Sequence, residues 1–277
     1  MSNKLIVVMV DGMRNDLASE NLGYIEHLVD TGKATRSQIK SELPSLSRPL
    51  YEVLLSGTPS SVNGISSNGP VRLSEQENLF HLTKKHGLVN ATASYYWVSE
   101  LYNQAPFDFF HDREQVKSEN TIQYGKFYWE DDYPDSHLFM DGEILRQQVH
   151  PDFLYIHSMN VDDTGHKFGG DSKEYREKIL RVDNHLSELI PVWQNDGYQV
   201  VITADHGMSK WGLHGGTTDE ERMVPLYIIS DQVEKNRFEP VIPQLLFAPF
   251  MCRLLGIPTS EGMEKLPESV TAMLKEK

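Results

Sequence analysis

Three apolar runs that each lead into acid leave this chain few ways to fold. Leu5–Val10 runs into Asp11-Gly12, Phe153–Ile156 leads through His157-Ser158-Met159-Asn160 to Asp162, and Gln199–Thr203 runs through Ala204 into Asp205-His206-Gly207. A fourth short run, Val89–Ser94, reads as a strand as well. Helical spacing lies between and after them at 75–86, 137–149, 173–193 and 241–255. This alternation predicts an α/β fold with a mostly parallel central sheet and helices on both faces. Ligands bind such sheets just beyond the carboxyl ends of the strands. Three strands would therefore deliver acids to one edge, two of them with a histidine nearby.

With 277 residues there is material for one large domain, 1–277, and a substantial core. The irregular, aromatic stretch at about 98–136 reads two ways: as a small cap over the sheet's carboxyl edge, or as a segment whose rings fill a local core. A net charge of −14 argues against a basic groove, hence against nucleic-acid polymers and anionic membranes as partners. A single cysteine, Cys252, allows no intramolecular disulfide. The six apolar residues after the N-terminus are too few for a secretory leader, and no run is long enough to span a bilayer. These features together read as a cytoplasmic protein.

Each acidic or imidazole residue has an ordinary explanation when taken alone. An aspartate after a strand also serves as a helix cap or turn former, and a lone His166 or His214 is more often a hydrogen-bonded surface residue than a ligand. The combination is another matter. Asp205-His206-Gly207, Asp162-x-x-Gly165-His166 and His214-Gly215 together form a mixed nitrogen and oxygen set suited to zinc.

In family order the chain carries Val10-Asp11-Gly12-Met13-Arg14, Ser47-Arg48-Pro49, Ser56-Gly57, Gly64-Ile65 with Asn68, Asp162-x-x-Gly165-His166, Thr203-Ala204-Asp205-His206-Gly207-Met208 and His214-Gly215. On these segments it resembles the alkaline phosphatase superfamily, within it the nucleotide pyrophosphatase/phosphodiesterase branch. The resemblance implies an alkaline phosphatase-like fold and two divalent metal ions, zinc or else manganese. One would be held by Asp162, His166 and His214, the other by Asp11, Asp205, His206 and the oxygen of Ser47. Charge supports that division, because three aspartates and a serine alkoxide balance two divalent ions. Without cations the converging carboxylates would repel and at least one pKa would rise.

The implied chemistry is hydrolysis of a small phosphate ester or nucleotide-like substrate through a phosphoseryl intermediate on Ser47. Coordination would lower the pKa of the Ser47 hydroxyl, and a helix N-terminus there favours a bound phosphoryl group. The plainer reading makes Ser47 or Ser45 an N-cap. Asn68, within Gly64-Ile65-Ser66-Ser67-Asn68-Gly69, matches the branch's donor to a phosphoryl oxygen, although Asn-Gly is also a favoured turn pair. Arg48 stands where the branch usually has an aromatic residue. It reads either as a clamp for an extra anionic group or as a solvated charge at the mouth of the site. A phosphomonoesterase or phosphonate hydrolase would share this core, and a noncatalytic metal- or phosphate-binding module is the alternative of another class.

Overall fold

A strand buried on both faces must be apolar throughout, and Leu5–Val10 is buried at all six positions. In the computed structural model, which describes residues 3–117 and 119–275, this run is β1. It is followed by β2 (Thr35–Lys40), β3 (Asn90–Tyr95), β4 (Glu114–Val116), β5 (Tyr124–Tyr128), β6 (Phe153–Ser158), β7 (Gln199–Thr203), β8 (Met223–Ile229) and β9 (Arg237–Pro243). They form one sheet in the order β4-β5-β3-β6-β1-β7-β8-β2-β9. The five strands from β5 to β7 are parallel, while β4 and β8 run antiparallel to their neighbours. The sheet is therefore mostly parallel, as the sequence pattern predicts. The four runs read from sequence occupy adjacent central places, β3-β6-β1-β7.

Helices cover both faces. Asp135–Val149 and Lys173–Asn195 lie in one layer, while Ser47–Ser56, Leu79–Lys85, Trp97–Tyr102 and Phe247–Leu255 make up the other. Successive side chains of β6 show the two sides directly. The His157 ring meets Tyr51 edge-on, and the Ser158 hydroxyl donates to Asp135 on the opposite face. Among the described residues no helix is long and apolar enough to cross a membrane.

Some expected elements shift. The helix expected at 75–86 is Leu79–Lys85, capped by Asn78, whose side chain accepts from the N–H groups of Phe80 and His81. The one expected at 241–255 begins at Phe247, because Arg237–Pro243 pairs with β2 as a parallel edge strand and a 3₁₀ turn follows. The stretch 98–136 contributes nearly all of the helix Trp97–Tyr102, then β4 and β5, and the first residues of the helix Asp135–Val149. Its rings pack on one another, with Phe107 5.5 Å from Tyr96 and 6.0 Å from Phe127, and Phe109 5.2 Å from Trp129.

Candidate active site

The sheet order explains why distant acids meet. β1 lies between β6 and β7, so Asp11 just past β1, Asp162 in the helix Asn160–Phe168 after β6, and Asp205 two residues past β7 share one edge. Gly12 allows the approach. Its φ is +72°, and a Cβ there would lie 2.8 Å from Asp162 Oδ1 and 2.9 Å from Asp162 Cα. Its own N–H donates to Asp205 Oδ1 at 3.2 Å.

The three imidazoles are oriented alike. His206 Nδ1 lies 2.8 Å from the carbonyl of Gly207, His166 Nδ1 2.8 Å from that of Gly212, and His214 Nδ1 2.8 Å from that of Ser45. A carbonyl only accepts, so each ring carries a proton on Nδ1 and turns its Nε2 inward. His166 Nε2 and His214 Nε2 are 3.2 Å apart, close enough for one positive charge, a proton or a cation, to be shared between them. His206 Nε2 is 3.3 Å from Asp11 Oδ1 and 3.3 Å from Asp205 Oδ2, and His166 Nε2 is 3.3 Å from Asp162 Oδ2.

The carboxylates show the same demand for positive charge. Asp11 Oδ1, Asp162 Oδ1 and Asp205 Oδ2 are buried and have no hydrogen-bond partner. Burial, reinforced by the charge of Asp11, raises the Asp162 carboxyl above its ordinary range; burial with Asp11 and Asp162 raises Asp205 further. His166, hydrogen-bonded to Asp162, is pushed up to about 9, whereas burial beside His206 pushes His214 down to about 4. Donor atoms of Asp11, Asp205 and His206 lie within 4.8 Å of one another, as do those of Asp162, His206 and His214. His166 borders the second group, and His206 belongs to both. Three oxygens without partners and three inward nitrogens fit divalent cations.

Ser47 opens onto this cage. It is the first residue of Ser47–Ser56, where the N-cap is Leu46 and no side chain caps the helix, so Ser47 is not spent as a cap. Its hydroxyl donates to the bare Nε2 of His206 at 3.1 Å. Ser45, the other capping option, instead donates to the carbonyl of Gly216.

The family profile described as type I phosphodiesterase / nucleotide pyrophosphatase matches residues 5–214. The chain belongs to that family. Murine ectonucleotide pyrophosphatase/phosphodiesterase 5 has the same fold, with a TM-score of 0.79 at 14% identity over 98% of this chain and 100% of that one. Curated relatives include GPI ethanolamine phosphate transferase 2 of Candida albicans, 25% identical over 92% of this chain, and the catalytic subunit of Mus musculus GPI ethanolamine phosphate transferase 3, 24% identical over 94%. The chain spans only 30% and 25% of the length of these two relatives. The resemblance carried by the Asp-Gly, Asp-His-Gly and His-Gly segments is therefore borne out at the level of family and fold.

Within this phosphodiesterase-family chain, Asn68 stands beside the helix that begins at Ser47. Its Oδ1 accepts the Arg48 backbone N–H at 3.1 Å, which fixes the amide with its N–H₂ pointing away from that bond. Arg48 is neither an anion clamp nor a solvated charge, and both sequence readings are corrected. Its side chain is 2% exposed, paired with Glu100 at 2.7 Å, bonded to the Pro70 carbonyl at 2.9 Å and set over the Trp97 ring at 4.5 Å. A guanidinium so enclosed has no face left for substrate. Tyr102, in the aromatic stretch, is likewise core, its hydroxyl donating to Glu52 at 2.8 Å. Tyr51 and His157, both fully buried, hold Asp11 and carry no motif of their own. For Tyr51 the spacing of four from Ser47 on one helix was the available signal.

Proposed function

We propose that this chain is a metal-dependent phosphoric diester hydrolase that works through a phosphoseryl intermediate on Ser47. The observation that carries the reading is a cage of three partnerless carboxylate oxygens and three inward imidazole nitrogens, with the Ser47 hydroxyl 3.1 Å from His206 Nε2. Asp11, Asp205, His206 and the Ser47 oxygen would hold one divalent cation, and Asp162, His166 and His214 the other. Mixed nitrogen and oxygen donors suit zinc, with manganese the alternative. Once bound, the cations supply Lewis-acid charge at the nucleophile and leaving oxygens and lower the pKa of the Ser47 hydroxyl.

The protein's own groups do the rest. Ser47 Oγ forms the new bond to phosphorus as the P–O bond to the leaving alcohol breaks. The serine proton is lost to solvent, and the departing oxygen takes one from water. The Asn68 amide donates to a non-bridging phosphoryl oxygen, and the helix N-terminus beginning at Ser47 favours the same negative charge. Water then attacks the phosphoserine and frees Ser47.

Alignment with ethanolamine phosphate transferases over more than nine-tenths of the chain supports a second reading, in which an alcohol takes the place of that water. Turnover of bis-p-nitrophenyl phosphate by zinc-loaded protein, with and without a small polyol such as glycerol as acceptor, separates the two, since a transferase diverts phosphoryl product to the added alcohol. A p-nitrophenyl monoester and a phenylphosphonate ester test the related substrate classes. Ser47→Ala is expected to lose essentially all turnover while keeping its zinc. Full activity in that variant removes Ser47 from the chemistry, and no turnover of any ester by loaded wild-type protein favours a binding module.

A further inference from the structure

We propose that Tyr51 and His157 are positioning residues that aim one oxygen of Asp11 at the metal centre, an inference resting on the two-metal reading above. Both reach the same atom. His157 Nε2 lies 3.0 Å from Asp11 Oδ2, and the Tyr51 hydroxyl donates to that oxygen too. The other oxygen, Oδ1, is buried without a partner and faces His206 Nε2 at 3.3 Å. Two donors on one side thus fix the carboxylate's rotation and leave a single oxygen to offer a cation.

The two residues arrive from different elements. His157 sits in β6 in register with Met9 of β1, so its side chain emerges beside the end of the strand that carries Asp11. Tyr51 lies one turn beyond Ser47 on the nucleophile's helix, and its ring meets that of His157 edge-on with centroids 4.7 Å apart. The clamp therefore ties the metal-facing acid to the helix that presents the serine. A fixed distance between acid and nucleophile is what a shared cation needs.

Packing alone does not account for a histidine at position 157. It is fully buried, its Nδ1 has no partner, and its proton must lie on Nε2 to meet a carboxylate that only accepts. An apolar side chain of similar size would fill the space without leaving a buried nitrogen unpaired. Packing against Tyr51 could be met by an apolar ring or chain, whereas the bond to Asp11 needs the imidazole's N–H donor.

Metal-free protein titrated with zinc against a chromogenic chelator tests the proposal, with circular dichroism confirming that each variant is folded. Tyr51→Phe keeps the ring and loses only the hydroxyl, while His157→Leu fills the space and loses the donor. Each is expected to weaken one of two zinc affinities by about 10–100-fold and to leave the other unchanged. His157→Gln, which restores an N–H donor, is expected to recover most of the loss. Unchanged affinities in folded Tyr51→Phe and His157→Leu, or a His157→Gln variant no better than the leucine, overturn the positioning role. Unsubstituted protein that takes up no zinc overturns the two-metal reading itself, so the two failures are distinguishable.

Discussion

Ser47 and Arg48 are chain neighbours with opposite fates, and residue-level chemistry decides which is which. The helix turns Ser47 toward His206 and sends the Arg48 side chain inward, to Glu100 and Trp97. The clustered acids were legible because three apolar runs each lead into an aspartate, and the combination outweighs the cap or turn role that each could have alone. Arg48 was not legible, since its partner Glu100 lies in a stretch with no periodic pattern to place it. The pair yields a prediction. Removing one member of a buried ion pair strands the other charge, at a cost of about 3–5 kcal/mol. Glu100→Ala is therefore expected to lower the unfolding free energy by that order, read as a lower urea midpoint at an unchanged m value, and to leave KM for a diester nearly unaltered. A large rise in KM with intact stability would instead return Arg48 to substrate binding.

At the scale of elements, legibility followed burial. β1, β3, β6 and β7 are buried at every position and sit together at the centre. β2 alternates buried and half-buried residues in a polar run, and β9 is an edge strand exposed along most of its length, so neither stands out in sequence. β8 is apolar, but Pro225 within it argues against a strand. That proline is tolerated because it lies just past the last β7 pair, Thr203 with Leu226. The junction of β1 with the helix Asn160–Phe168 is equally exacting. Gly12→Ala would force a left-handed φ on a residue with a Cβ and drive that Cβ into the backbone of Asp162. The conformational part alone costs about 1–2 kcal/mol. The collision should displace the helix carrying Asp162 and His166, so zinc uptake is expected to fall with stability. Gly32→Ala is the control, because its φ is +68° and nothing lies within 4 Å of the new atom. It should lose stability alone. Zinc uptake preserved in folded Gly12→Ala would mean that the close approach at Asp162 is not needed for the site.

For the molecule as a whole, the cage lies at the middle of the sheet, where β6, β1 and β7 end side by side. The chain carries a net charge of −14, so the cage's carboxylates repel one another within a protein already rich in negative charge. Cations bound there would act on the three central strands together, coupling the site to the entire core. Removing them is expected to shift one cooperative unfolding transition as a unit, with no separate early melting of a loop. At free zinc a hundredfold above its dissociation constant, each ion should add about 2.7 kcal/mol to stability. Calorimetry with and without a strong chelator checks this, and re-addition of zinc should restore the original transition. A chelator that abolished turnover but left the melting curve unmoved would show that the ions bind without coupling to the central sheet, contrary to the placement of their ligands at its strand ends.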